Sequence, residues 1–192
     1  QFEWEVTVIK DDKTMNAFAL PGGKIAVYTG IFPVAKTEAG LAAVMGHEVV
    51  HALARHGGER MSQNTLAQTT LQAIGIALGV SGANPVVSQG AMAALGVGAQ
   101  VGVLLPFSRK HESEADYVGV LLAADAGYDP RESIQLWTRM GELSGGKSAS
   151  EFMSTHPSHE TRIEQLEEWM SEAMPIYQSK PPAPNSELPQ LH

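Results

Sequence analysis

Histidine and glutamate side chains are concentrated in one apolar, alanine-rich stretch, "GHEVVHALARH", at residues 46–56. His47 and His51 are four residues apart, so on a helix both imidazoles point in the same direction. Two imidazoles supply half of a tetrahedral zinc coordination shell. The chain has no cysteine, so any further protein ligands must be histidine or carboxylate side chains. This stretch therefore predicts a helix that carries a zinc site.

Glu48 follows the first of these histidines, and at ~100° per residue its angle on the helix is too far round for a third ligand. Its carboxylate is well placed to reach a zinc-activated water, to take a proton from it and to pass that proton to a leaving amine. We therefore predict that Glu48 acts as general base and general acid. The alternative interpretation is two core histidines beside a solvent-exposed glutamate.

A third ligand is expected in a second helical stretch, "RKHESEADYVG", at residues 109–119. Glu112 and Asp116 are one turn apart and share a face. Glu112 is the predicted ligand, and Asp116 is predicted to accept a hydrogen bond from a zinc-bound imidazole. Glu114 points about 160° away and is expected to be solvated. The alternative is an ordinary acidic surface stripe. The face of Glu112 also carries small residues that would let this helix approach another closely: Ala115, Gly119 and Ala123.

The elements that must position these residues are mostly helical. Residues 3–12 alternate as a strand does, and a Pro21–Gly22–Gly23 turn leads to a second strand in "KIAVYTG". Thr37 can cap the central helix, which is expected to end at Gly57–Gly58. Further helices are expected over 59–106 with a break at 81–85, and over 109–127, 130–143 and 158–174, the last ended by Pro175. The predicted fold class is α+β, mainly α, with a small N-terminal β-sheet and a central active-site helix.

Composition limits the classes of function. The 192 residues, 43% of them apolar, fit one domain, predicted at residues 1–176, and a Pro-rich, disordered tail at 177–192. A net charge of -8 argues against nucleic-acid binding. No stretch reaches ~18 uninterrupted apolar residues, so no transmembrane helix is expected, and no signal peptide is evident. "GELSGGKS" at 141–148 matches a phosphate loop in letters but follows a helix, so no nucleotide binding is expected.

The segment at 59–106 has two interpretations. Its Ala, Gly, Leu and Val residues are typical of a membrane-seeking segment, particularly over 66–105. Its Gln, Asn and Ser residues and the break at Asn84–Pro85 instead favour helices packed near the active site as a lid, and we prefer this second interpretation.

Four ordered motifs resemble those of the gluzincin metallopeptidases: "NAFALPGGKIAVYTGIF", "GHEVVHALARH", "ESEADYVG" and "STHPSHETRI". More narrowly, they resemble the family that holds the HtpX heat-shock proteases and the CAAX prenyl proteases. Within it, they are similar to the soluble periplasmic branch of BepA- and LoiP-like enzymes. The resemblance covers residues 5–170.

The resemblance implies a zincin-like fold and a zinc-dependent endopeptidase with one Zn²⁺ per chain, held by His47, His51 and Glu112. It implies a bacterial periplasmic location, or the periplasmic face of a membrane, and unfolded or misassembled envelope proteins as substrates. Membrane association is expected only peripherally or through a segment before residue 1. The competing hypothesis is a metal-binding, chaperone-like module that holds unfolded proteins without cutting them.

The resemblance also suggests that "STHPSHETR" faces the active site. Arg162 is a candidate for stabilising the oxyanion of the reaction. His156 could do the same, or could cap the zinc in a resting state. The alternative is that both merely hold the start of the last helix. The remaining histidines of these stretches are expected at the surface: His56, His111 and His159.

Residues 22–30 are interpreted as an edge strand. Peptidases often hold an extended substrate by adding it to a sheet edge, through the main chain of the strand. The predicted contacts are main-chain groups of Gly23, Ile25, Ala26 and Val27. The alternative is a plain structural hairpin strand.

Overall fold

In the computed structural model, the described residues are 2–82, 84–100, 104–144, 156 and 161–189. The strands are β1 (Glu5–Ile9), β2 (Ala17–Leu20) and β3 (Lys24–Tyr28), followed by a 3-10 turn at Thr29–Ile31. The helices are α1 (Phe32–Ala35), α2 (Glu38–Leu53), α3 (His56–Val80), α4 (Pro85–Ala99), α5 (Leu105–Asp125), α6 (Arg131–Ser144) and α7 (Thr161–Gln178). The predicted α+β, mainly α fold with a small N-terminal sheet is confirmed.

The sheet has the order β1-β3-β2, so β3 is its middle strand. β3 pairs in parallel with β1 and antiparallel with β2. The prediction of an edge strand at residues 22–30 is therefore wrong, because the main-chain groups of β3 are shared with strands on both sides. This excludes strand addition at the positions predicted to hold substrate: Gly23, Ile25, Ala26 and Val27. The edges of the sheet are formed by β1 and β2.

Helix α2 begins as predicted but ends earlier. The Thr37 hydroxyl accepts a hydrogen bond from the Gly40 N–H at 3.1 Å and caps the first turn. The helix ends at Leu53, and Arg55 takes a left-handed conformation with φ of 58°. The prediction that Gly57–Gly58 end this helix is wrong, because both glycines lie in the first turn of α3. The residue with positive φ between the two helices is therefore an arginine and not a glycine.

Helices α2 and α5 cross with their main chains in contact. A Cβ atom added at Gly119 would lie 2.9 Å from the His47 nitrogen, and one added at Gly46 would lie 2.7 Å from the Gly119 oxygen. The prediction that small residues let this helix approach another closely is confirmed. The contact sets α5 beside the turn of α2 that carries His47. The other small residues on this face are buried as well: Ala115 and Ala123.

The C-terminal segment is held against the core. Pro175 lies inside α7, which continues to Gln178 and does not end at the proline. Farther on, Leu188 joins the hydrophobic core, and its N–H donates to the Lys36 carbonyl at 2.8 Å. The prediction of a disordered tail is therefore wrong for residues 177–189, because a buried leucine and main-chain hydrogen bonds fix the segment.

The chain divides into two compact units, one formed by residues 1–54 with 112–192 and one by residues 55–111. The predicted domain at 1–176 includes both. The first unit contains the sheet and the hydrophobic core, in which residues such as Val27, Val44, Leu136 and Leu166 are buried. The second contains α3 and α4, which pack on each other. No helix among the described residues is long and apolar enough to span a bilayer.

Replacing Gly119 by alanine is expected to destabilise the protein by about 1–3 kcal/mol, because the added methyl group meets main-chain atoms that cannot rotate away. Chemical denaturation measures the loss. Gly141→Ala in α6 is the matched control, since nothing lies within 4 Å of its added Cβ. Alanine there is expected to leave stability unchanged or to raise it by about 0.5–1 kcal/mol. Equal effects of the two variants would show that the helix crossing does not depend on Gly119.

Candidate metal centre

Four side chains converge in the first unit: His47 and His51 from α2, Glu112 from α5, and His156. One donor atom of each lies within 4.8 Å of all the others. The Nε2 atom of His47 is 3.0 Å from His51 Nε2, 3.1 Å from His156 Nδ1 and 3.3 Å from Glu112 Oε2. Zinc ligands at their usual bond lengths occupy tetrahedral corners about 3.3 Å apart. The donor types and their spacing therefore fit a single zinc ion.

His47 is oriented from behind by a carboxylate. Its Nδ1 atom lies 2.9 Å from Asp116 Oδ1, and a proton on Nδ1 leaves the Nε2 lone pair for a metal. Asp116 accepts two further hydrogen bonds from Arg162, one from Nη2 at 2.7 Å and one from Nε. The guanidinium lies over the ring of Trp137, with Cζ 3.3 Å from the ring centroid. Together, these contacts restrict rotation of the His47 imidazole.

Buried charges dominate the electrostatics of the site. Burial opposes ionisation of Glu112, but hydrogen bonds from His156 and His47 hold its pKa well below the ordinary value. Burial also opposes ionisation of Asp116, and the Arg162 charge and the His47 hydrogen bond lower its pKa nonetheless. Burial lowers the pKa of His47, but hydrogen bonds to Asp116 and Glu112 overcome this and raise it to about 9. The same negative field favours a divalent cation at the donor atoms.

Glu48 lies beside the four donors without joining them. Its side chain is buried, only 2% exposed, and burial raises its pKa. Its Oε1 atom is 3.3 Å from His156 Nε2 and has no hydrogen-bond partner among the described residues. The N–H of Ala19 in β2 donates to the carboxylate. The alternative of core histidines beside a solvent-exposed glutamate is therefore excluded, and this carboxylate is suited to moving a proton.

The residues predicted from the two metal-binding stretches come together. His47, His51 and Glu112 form one group, and Asp116 supports His47 from behind. The side chain of Glu112 is buried, which excludes the alternative of an acidic surface stripe, while Glu114 is exposed as predicted. His156 joins the group itself.

Arg162 is brought to the site, and its guanidinium is held by a carboxylate. Only 1% of the residue is exposed, and its guanidinium is bound to both oxygens of Asp116. This favours a positioning role, through Asp116, over contact with a reacting oxyanion.

The prediction that His56 and His111 lie at the surface is wrong. Both are buried, their rings are stacked with centroids 4.1 Å apart, and His111 Nε2 lies 3.0 Å from Glu59 Oε2. The two histidines are 55 positions apart in sequence, so no local sequence pattern indicates that they stack and become buried. His159, and residues 145–148 of the glycine-rich stretch at 141–148, lie outside the described residues.

Two contributors to the site were not predicted. Trp137 supports Arg162 and packs edge-on to His47, with ring centroids 5.9 Å apart. Its position in the amphipathic "RESIQLWTRM" is typical of an ordinary core residue. Ala19 contributes a main-chain hydrogen-bond donor to Glu48. Because every residue except proline has such a donor, the residue type at this position gives no indication of the contact.

A central helix with two imidazoles and a glutamate, closed by a carboxylate from a second helix, defines a zincin-type metallopeptidase of the gluzincin class. The chain belongs to peptidase family M48, whose family model matches residues 1–170. The family predicted from the four motifs is thereby confirmed.

The chain is similar to mitochondrial metalloendopeptidases named OMA1. It is 43% identical over 173 residues to the Schizosaccharomyces pombe protein, which covers 89% of this chain and 48% of that relative. It is 42% identical over 179 residues to the Arabidopsis thaliana protein, covering 91% of this chain and 33% of the relative. It is 28% identical over 151 residues to a beta-barrel assembly-enhancing protease of Yersinia pestis, covering 78% of this chain and 31% of the relative. The chain thus spans less than half the length of these relatives.

The predicted periplasmic location is wrong. Relatives that match this chain at higher identity and coverage carry names that place them in mitochondria, in a yeast and a plant. The bacterial relative is less similar. The motifs that build a metal site determine its chemistry and not the compartment, so they did not separate the two branches.

Glu112→Ala is expected to lower bound zinc from one ion per chain to a small fraction, because it removes the only negatively charged donor of the four and leaves three neutral imidazoles. Metal content by mass spectrometry measures this. Glu114→Ala is the matched control, two residues along the same helix and exposed, and is expected to keep its zinc. Asp116→Ala is expected to weaken zinc affinity by about 10–100-fold. Full zinc content in Glu112→Ala would contradict the ligand assignment.

Proposed function

We propose that this chain hydrolyses peptide bonds as a zinc-dependent endopeptidase. The observation that carries the proposal is Glu48, a buried carboxylate of raised pKa beside four convergent metal donors. A module that only holds a metal needs no proton-transfer group at this position. Membership of a peptidase family supports the same conclusion and supports polypeptides as the substrate class.

The roles of the residues follow from their contacts. His47, His51 and Glu112 hold the metal, and Asp116 with Arg162 keeps His47 in the required tautomer. When bound, zinc supplies a Lewis acid that lowers the pKa of a water molecule to about 7 and polarises the scissile carbonyl. Glu48 accepts the proton of the attacking water and donates it to the amine nitrogen as the peptide bond breaks. The raised pKa of Glu48 suits both transfers, because the carboxyl must gain and lose a proton near neutral pH.

The substrate main chain is proposed to lie along β2. This strand is at an edge of the sheet, and its Ala19 N–H donates to the Glu48 carboxylate. A peptide that extends the sheet at this edge would therefore pass beside the proposed base. Such pairing uses main-chain hydrogen bonds and accepts many sequences.

His156 is proposed to occupy the fourth coordination position in a resting enzyme. Its Nδ1 atom is 3.1 Å from both His47 Nε2 and Glu112 Oε2, so it lies among the donors. Catalytic zinc sites keep one position open for water, whereas four protein ligands close the shell. His156 must then leave before hydrolysis begins. In the alternative role, oxyanion stabilisation, it would have to stay and donate a hydrogen bond.

The cellular role is a broader proposal. The names of the OMA1 relatives support a mitochondrial location for this chain. Unfolded or misassembled proteins are the proposed substrates because the resemblance of the four motifs implies them, while membership of a peptidase family supports the coarser class of polypeptides.

Glu48→Gln is expected to reduce casein cleavage at least about 100-fold, because the amide cannot accept the proton of the attacking water. Mass spectrometry should show that zinc is retained, since Glu48 is not among the donors. Glu114→Gln is the control and should keep full cleavage. Casein hydrolysis that survives Glu48→Gln would refute the mechanism, and wild-type protein that binds casein without cutting it would favour the chaperone-like alternative.

His156→Ala is expected to retain zinc and to raise the rate of casein cleavage, because two imidazoles and the negatively charged Glu112 remain and the fourth position opens. X-ray absorption on the zinc-loaded protein should show one fewer nitrogen ligand. A loss of cleavage of about 100-fold with unchanged coordination would instead assign His156 to oxyanion stabilisation.

A further inference from the structure

The second unit differs sharply in charge from the rest of the chain. Its formally charged residues are one acid, Glu59, and four bases, Arg55, Arg60, Arg109 and Lys110. Residues 55–111 therefore carry +3, and the remainder of a chain with net charge -8 carries -11. From residue 61 to residue 108, no Asp, Glu, Lys, Arg or His occurs in 48 consecutive positions.

The uncharged hairpin, residues 61–99, consists of α3 after its first turns and all of α4. None of its described side chains is buried. Large apolar side chains stand open, between 63% and 78% exposed: Leu66, Ile76, Val86, Val87 and Val97. An apolar helical pair without a single charge is not a typical water-facing surface, so this surface requires a partner.

Polarity changes along α3. Eight of the twelve residues 61–72 are Ser, Thr, Asn or Gln, whereas "AIGIALGV" at 73–80 contains none of them. The hydroxyls of Ser62, Thr65 and Thr69 donate to carbonyls one turn earlier, at 3.0, 2.8 and 2.7 Å. A hydroxyl satisfied by its own helix is less costly to move out of water. The distal half therefore suits acyl chains, and the half nearer the start of α3 suits a headgroup layer.

All formal charges of this unit lie at one end of the hairpin. The first turns of α3 hold Glu59, and His111 of α5 bonds Glu59 Oε2 at 3.0 Å and stacks on His56. This contact brings the two bases before His111 to the same end as the two bases at the start of α3. The four bases, which we name the basic collar, are all exposed: Arg55, Arg60, Arg109 and Lys110.

We propose that the uncharged hairpin binds an anionic lipid bilayer, with residues 73–99 in the acyl region and the basic collar at the lipid phosphates. Each collar base is attracted by the negative surface potential, and the open apolar side chains are removed from water. Twelve residues of α3, ~18 Å along its axis, separate the basic collar from the apolar half of the helix. A hairpin inclined to the bilayer normal therefore brings the collar to the lipid phosphates and the apolar half to the acyl region. A second copy suits the surface less well, because hairpins side by side would bring two +3 units together.

A fluorescent probe tests the insertion directly. The chain has no cysteine, so Val86→Cys, at 78% exposure near the tip, accepts a single environment-sensitive fluorophore. The full zinc-loaded chain is used in the Glu48→Gln background, which keeps the result independent of peptidase activity. A blue shift is expected with vesicles of phosphatidylcholine and phosphatidylglycerol in equal parts, and a much smaller shift with phosphatidylcholine alone. Leu143→Cys on α6, at 52% exposure, is the control and should not respond.

Vesicle co-flotation separates the charge and apolar contributions. Arg109→Gln with Lys110→Gln should weaken binding to the anionic vesicles about 25-fold, or about fivefold for each charge. Lys10→Gln with Lys13→Gln removes the same charge from exposed positions in the first unit and should change nothing. Val86→Glu with Val87→Glu should abolish binding, whereas Leu143→Glu should not.

Three results would overturn the proposal. One is a wild-type chain that stays with the aqueous phase in the presence of anionic vesicles. Another is a Leu143 probe that responds as strongly as the Val86 probe. The third is a dimer by sedimentation that Val86→Glu with Val87→Glu dissociates while the Val86 probe ignores vesicles, which would assign the hairpin to a second copy.

Discussion

Charge buried around His47 is the constraint on which the rest of the structure depends. Glu48, Glu112 and Asp116 are all almost inaccessible to water, and the guanidinium of Arg162 is buried among them. With all three carboxylates ionised, these groups sum to -2. Buried charge without compensation is strongly unfavourable, and a divalent cation at the four donors balances it. We therefore expect metal binding and folding of this unit to be coupled.

The helix crossing makes this arrangement geometrically available. Gly46 and Gly119 allow the main chains of α2 and α5 to touch, and Glu112 and Asp116 then face the His47 turn. Asp116 connects that turn to α7 through Arg162, so three helices converge behind one imidazole. Helices hold three of the four metal donors, while β2 contributes a main-chain hydrogen-bond donor to the proposed base. The precision of the site thus comes from main-chain contact and not from side-chain size.

The two units differ in the sign of their net charge and in the exposure of their apolar side chains. The first concentrates acidic residues and buries its apolar side chains around the sheet. The second is basic, lacks charge over most of its length and leaves its apolar side chains open. The proposed peptidase activity and the proposed lipid binding would together place proteolysis at a membrane surface. The uncharged polar residues that favoured a lid from sequence are equally suited to a headgroup layer, since three of their hydroxyls are bonded within α3.

Local spacing was sufficient to identify the chemistry of this protein from its sequence. The pairs His47 with His51 and Glu112 with Asp116 depend only on helical periodicity, and the glycine and alanine face of α5 predicted the close crossing. Long-range pairing decided the rest. β1 pairs with β3 and makes it the middle strand, and Arg162 binds Asp116 and lies over Trp137. His56 stacks on His111, and Leu188 packs in the core. Each of these joins residues far apart in the chain, and their energies come from burial and contact in three dimensions, which residue order does not encode locally.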